Sequence, residues 1–178
     1  MLSEEERSLI YRQAYLPEHL PDYVEAISTA EPYLHGDYLC FTLKKHLAFI
    51  GYPLGNEAGD TPGAYESACE RFRPATVAVI APQLWFPAQT YQNELRDSYY
   101  RLDLPLGPLD PELAYMVRRG ARELQVRQGR FGKEHHKLVK DFLSGHQLTP
   151  EQRFIFEHIH HYLKSSQTAR LLEARKGD

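Results

Sequence analysis

Cysteine is scarce in this chain: Cys40 and Cys69 are the only two among 178 residues. They form no C-x-x-C pair and each lies in an apolar stretch. The plainest reading is two buried thiols in a reducing cytoplasm, set against a single disulfide or one nucleophilic thiol. Long apolar runs are missing as well. Nothing approaches the roughly 20 residues that span a bilayer, and the acidic opening MLSEEERSLIYR is no secretory signal. No membrane span is therefore expected, and a cytoplasmic location is. A surplus of positive charge is also absent. Lys and Arg number 21 against 24 Asp and Glu, for a formal charge of −3, which argues against a dedicated nucleic-acid binder. There are no internal repeats and no low-complexity segments.

What is present suits a single domain spanning residues 1–178. Apolar residues make up 42% and aromatics 12%, enough for a core, and 25% charge is ordinary for a water-exposed surface. Ser3 and Glu6 form a capping-box pattern that predicts a helix to about Tyr15, interrupted by Pro17 and Pro21, with a further helical piece over 22–28. Residues 37–54 read as a hairpin. Leu39, Phe41 and Leu43 alternate with Tyr38, Cys40 and Thr42, Lys44-Lys45 turns, and 47–52 returns.

Thr61 as cap with Pro62 at the first helical position predicts a helix over 63–72. The run TVAVIA (76–81) reads as a strand buried on both faces. Residues 88–96 read as loop or a short helix, and SYYRLDL (98–104) alternates as a strand. Asp110-Pro111 opens a strong amphipathic helix carrying Leu113, Met116, Val117, Ala121 and Leu124. A helix over 133–143 follows, with Leu138, Val139 and Phe142 inward and Gly145 as its stop. Thr149 and Gln152 then form a second capping box for a helix bearing Ile155, Ile159, Tyr162 and Leu163. Residues 169–174 read either as a strand whose partner lies beyond Asp178, in a longer protein, or as a frayed helix end. Strand–helix–strand order predicts an α/β (α+β) fold, a sheet flanked by helices.

The richest chemistry lies in residues 118–140. Eight Lys or Arg stand there against Glu123 and Glu134, so the segment is +6 and the remainder of the chain −9. Arg127, Gly129, Arg130, Gly132 and Lys133 precede a helix start, the arrangement of an anion or cofactor phosphate site. The plainer alternative is a loop between helices with a solvated basic face. The segment is not a Walker A loop, because Arg127 and Glu134 stand where Gly and Ser/Thr would be needed, and it is not G-x-G-x-x-G. Tyr99 and Tyr100 are pocket candidates, since phenols suit both a core edge and a ligand wall. His135 is a third, one turn before Leu138 and Val139, with a structural role as its alternative.

Nine histidines are many. Glu157 to His160 makes one E-x-x-H step where a carboxylate bundle site needs two, and H-E-x-x-H is absent, so no metal site is predicted. No acid–base constellation or G-x-S-x-G elbow stands out, and the catalytic residues stay unassigned.

Four pieces in order carry a resemblance. They are AFIGYPLG (48–55), ERFRPATVAVIAP (70–82), YYRLDL (99–104) and RFGKEHHKLVKDFL (130–143). Together they resemble the N-terminal half of the phosphatidylglycerol lysyltransferase C-terminal-domain-like proteins, which contain two lobes of GNAT acetyltransferase type. The resemblance implies a mixed, GNAT-like sheet flanked by helices, acyl- or aminoacyl-transfer ancestry, acyl-CoA as the donor, and a second GNAT-like lobe as partner. This chain departs from the family at its donor loop, R/Q-x-x-G-x-G/A at a helix start. Gly129 and Gly132 are three apart rather than two, and neither Gln125 nor Arg127 has the right offset. No catalytic or CoA-binding residue therefore carries over, which implies a degenerate lobe. The alternatives are a non-catalytic module binding a small-molecule ligand or another protein, a homodimer through exposed Tyr and His, and nucleic-acid contact through 118–140.

Overall fold

Strand β2 (Tyr38–Leu43) shows how this sequence builds its sheet: Leu39 and Phe41 point to one face, Tyr38 and Cys40 to the other, and all four are buried. The computed structural model describes residues 2–56, 59–103, 105, 107–166 and 168–176. These divide into two compact units, one formed by 1–85 with 132–169, the other by 86–131 with 170–178.

The first unit holds helix α1 (Glu4–Gln13), α2 (Pro21–Ser28), strand β1 (Glu31–His35), β2, β3 (His46–Ile50), α3 (Thr61–Phe72), β4 (Thr76–Ile80), α5 (Lys133–Gly145) and α6 (Pro150–Ser165). Its sheet order is β1-β2-β3-β4, antiparallel except for the parallel pair β3–β4. The fold is thus α+β with a mixed, largely antiparallel sheet.

The hairpin turns are tight. Gly36 takes φ 58° between β1 and β2, a conformation glycine adopts without steric cost, and Lys44 takes φ 57° between β2 and β3. Two cores result. Ile10, Ala30, Leu39, Phe41, Ile50 and Leu54 fill one face, and Val24 of α2 packs on them. Tyr38, Cys40, Leu47, Phe49 and Ala68 fill the other under α3, with Tyr65 and Trp85 edge-on to Phe49. Because both faces are covered, β2 alternates between two apolar sets rather than between apolar and polar.

The caps follow the sequence. The Ser3 hydroxyl accepts from the Glu6 amide, and the Glu6 carboxylate accepts from the Ser3 amide at 2.6 Å. Thr149 and Gln152 exchange bonds in the same way. At α3 the cap is Asp60 rather than Thr61: its carboxylate accepts from the Gly63 amide at 3.0 Å, which starts the helix two residues earlier than the pattern predicts. α6 packs on α2, with Tyr162 edge-on to Tyr23 at 5.4 Å.

Several expectations need correction. β1 was not foreseen, because Pro32 interrupts its pattern. It is an edge strand, where a missing amide is tolerated. β4 is not buried on both faces: it is the opposite edge, with Thr76 and Ala78 exposed. Residues 98–103 form no strand, since no neighbour pairs with them, and Leu104 lies outside the described residues. Leu138 points outward, while Leu143 takes the buried position on α5.

The second unit holds α4 (Pro111–Glu123), β5 (Leu124–Gly129) and β6 (Leu171–Lys176). Asp110 caps α4 by accepting from the amides of Glu112 and Leu113. β5 was expected to be helix end and loop. It pairs antiparallel with β6 from Leu124↔Lys176 to Gly129↔Leu171. The C-terminal strand thus has a partner upstream, β5. Arg175 and Lys176 belong to β6, and Gly177 and Asp178 lie outside the described residues.

Candidate functional site

In sheets with parallel strands, ligands favour the carboxyl ends of those strands and the start of the crossover helix. Here that place is the end of β3, the loop leading to Asp60, the start of α3 and the end of β4. It is closed. The Gly51 amide donates to the Ile80 carbonyl at 2.7 Å, so β3 and β4 stay joined past their last paired residues. A Cβ at residue 51 would come within 2.9 Å of the Ala81 Cβ, so the chains meet there at glycine distance. The α3 amides are served by the protein itself: Asp60 takes the Gly63 amide, and its carbonyl takes that of Ala64. The Tyr38 hydroxyl lies 2.9 Å from Thr61 Oγ1 and covers Gly59. A carboxylate sits where an incoming phosphate would need positive potential.

The residues singled out from sequence do not form one constellation within either unit. Arg127, Gly129 and Arg130 belong to the second unit, Gly132 and Lys133 to the first. Gly129 ends β5, and the Glu173 side chain lies over it so closely that a Cβ would meet its Oε1 at 2.0 Å. The glycine thus makes room for a carboxylate, not for a mobile loop. That carboxylate accepts from Arg175 at 2.8 Å and Arg127 at 3.2 Å, which together hold Glu173 below the usual carboxylate range, Arg175 contributing more.

Tyr99 and Tyr100 are exposed in irregular chain, Tyr100 at 95%. His135 is half-buried, and its Nδ1 accepts from the Gly132 amide at 3.0 Å, which ties the helix start together. Comparison with family models, curated proteins and solved structures gives no match.

Two further features were not legible as sites. An open groove of about 470 Å³ runs between α2 and α6, walled by Glu25 and Thr29 on one side and His158, His161 and Lys164 on the other, over Ala26 and Ile27. The His158–His161 spacing was the one signal for it. Their ring centres stand 5.9 Å apart, and His161 stacks 4.0 Å from His160, whose pKa is lowered by burial and by that neighbour. Two imidazoles and an ammonium suit an anion, but Glu25 opposes one. Among the described residues no group of three or more His, Cys, Asp or Glu is placed to hold a metal ion.

His19 is the second feature, a fully buried polar side chain. Its Nε2 meets the Tyr52 carbonyl at 3.0 Å and its Nδ1 the Tyr15 amide at 3.4 Å. A carbonyl only accepts and an amide only donates, so Nε2 carries the proton and the ring is neutral; burial lowers its pKa. Both nitrogens are spent on structure. Cys40 is equally unavailable, its thiol pushed up to about 12 by burial. No described helix is long and apolar enough to cross a membrane.

Proposed function

We propose that this chain is a GNAT-like lobe of an acyl- or aminoacyl-transfer protein, one that does not hold the donor itself and works with a second such lobe. The observation that carries the reading is the β3–α3–β4 crossover in a mixed sheet, with its ligand end sealed by the Gly51–Ile80 hydrogen bond and the Asp60 cap. A mixed sheet with helices on both faces is what the ancestry implies. The R/Q-x-x-G-x-G/A signature is missing at 51–63, as it is at 129–133. A carboxylate at the helix start disfavours a pyrophosphate there by like-charge repulsion.

Calorimetric titration of acetyl-CoA tests this. The wild-type chain should give no heat, and Asp60→Asn, which keeps a capping oxygen but removes the charge, should give weak saturable heat. Saturable heat in the wild type would place the donor in this lobe and overturn its closure. No heat in either protein would remove acyl-CoA from the reading.

The second reading, a non-catalytic interaction module, is favoured by one specific observation: every apolar side chain of α4, β5 and β6 is exposed or half-exposed. Nucleic-acid contact through 118–140 is supported less, because Arg127 already holds Glu173 and Arg119 holds Glu123 at 3.1 Å.

A further inference from the structure

The groove between α2 and α6 carries opposite charges on its two walls and an apolar floor. Every residue lining it belongs to the first unit, so its walls are defined without the second. Its volume of about 470 Å³ lies within the range of small-ligand clefts. On the α2 wall stands Glu25, and α2 ends at Ser28, so the carbonyl end of that helix adds to the negative charge. On the α6 wall, Lys164 stands in the last turn, with His161 and His158 on the turns before it, and reverses the sign. Ala26 and buried Ile27 form the floor.

These polar groups are not spent on the fold. Among the described residues Lys164 makes no ion pair, and the Thr29 hydroxyl makes no hydrogen bond. Thr29 caps α2 in the left-handed conformation at φ 59°, which a β-branched residue rarely takes and glycine takes freely. His158 Nδ1 donates to the Phe154 carbonyl at 2.8 Å, which leaves Nε2 as an acceptor. Glu25 is engaged on one oxygen: Arg7 gives its short bond to Asp22 at 2.6 Å and a longer one, 3.3 Å, to Glu25 Oε2. An exposed pair of that length holds the carboxylate weakly.

The charges select among ligands. A simple anion drawn by Lys164 meets Glu25 and the α2 carbonyls. A simple cation drawn by Glu25 meets Lys164 and Arg7. A metal ion finds no group of three His, Cys, Asp or Glu among the described residues. A molecule that carries both charges on an apolar body suits both walls and the floor. Being neutral overall, it is also indifferent to the net charge around the groove.

We infer that this groove binds a small zwitterion with an apolar body: an apolar amino acid, or a short peptide with both termini free. Its ammonium lies toward Glu25 and the α2 carbonyls, its carboxylate toward Lys164, and its apolar part over Ala26 and Ile27. The Thr29 hydroxyl, both donor and acceptor, serves either end. The inference stands on the groove alone and does not depend on the acyl-transfer reading.

The test is a titration of the isotope-labelled full chain with leucine, dileucine and trileucine, followed by amide chemical shifts. Saturable shifts confined to α2 and α6 are expected for at least one of the three, and the best binder sets the spacing of the two charges. N-acetyl-leucine lacks the ammonium and leucinamide lacks the carboxylate, and each should bind about fivefold more weakly than leucine, the worth of one exposed ion pair. Lys164→Gln should weaken leucine and leave leucinamide unchanged. Glu25→Gln should weaken leucine and leave N-acetyl-leucine no weaker. Both side chains are exposed, and the same spectra report the fold. No saturable shift in α2 or α6, as would follow if the chain itself filled the groove, would overturn the proposal. So would equal binding of the blocked compounds, or binding that survives both substitutions.

Discussion

The two units differ in what holds them. Every buried side chain among the described residues lies in the first, and none in the second. The first unit's sheet carries an apolar cluster on each face, centred on β2 and β3. The second unit's elements are defined by caps, register and exposed ion pairs, of which the ion pairs are worth little. Secondary structure of good local quality is therefore no sign of stability by itself. α4 has an Asp cap, Pro at its first turn and a clear apolar stripe, yet none of its residues is buried, whereas α3 buries Ala68.

The comparison breaks most sharply under core deletion. Phe49→Ala removes a fully buried ring that meets Tyr38, Tyr65 and Trp85, and should cost about 3–5 kcal/mol in urea unfolding followed by Trp85 fluorescence. An acid titration comes next. His19 has a lowered folded pKa, so the unfolded chain binds the proton more readily. Stability is full above the ordinary histidine value of about 6.5 and falls as pH drops below it, levelling off below the folded value. His19→Gln should flatten that fall, and an unchanged pH profile would show that the ring is not buried neutral.

Loss of the α6 cap in Thr149→Ala should cost about 1 kcal/mol, read by the same unfolding curve. The smallest effect should come from the second unit. Leu172→Ala and Val126→Ala should each change stability by less than about 0.5 kcal/mol, because neither side chain leaves water. A cost near that of Phe49→Ala would erase the distinction between the units. Chemical labelling gives an independent check: Cys40, a neutral buried thiol, should resist iodoacetamide until the chain is unfolded.

How much of this was legible in the sequence follows the same division. The capping boxes at Ser3 and Thr149, the Lys44-Lys45 turn and the hairpin were readable because each is decided by neighbours a few residues away. β1 was hidden by Pro32, which is tolerated only because the strand is an edge, a fact no local pattern carries. β5 was hidden for a different reason. The apolar period of α4 runs on into Leu124, and the partner strand lies more than forty residues downstream, so the change from helix to strand is set by pairing rather than by local preference. The candidate anion site suffered in the same way: Gly129 read as a flexible loop residue until its pairing with Leu171 and the Glu173 side chain above it were seen.

Hydrogen exchange, read by mass spectrometry on the monomeric chain, tests the central claim most directly. Amides of β2 and β3 should exchange only by global unfolding, whereas those of α4, β5 and β6 should exchange by local opening at rates near those of unstructured chain. Protection of β5 and β6 equal to that of β2 and β3, with no partner present, would contradict it.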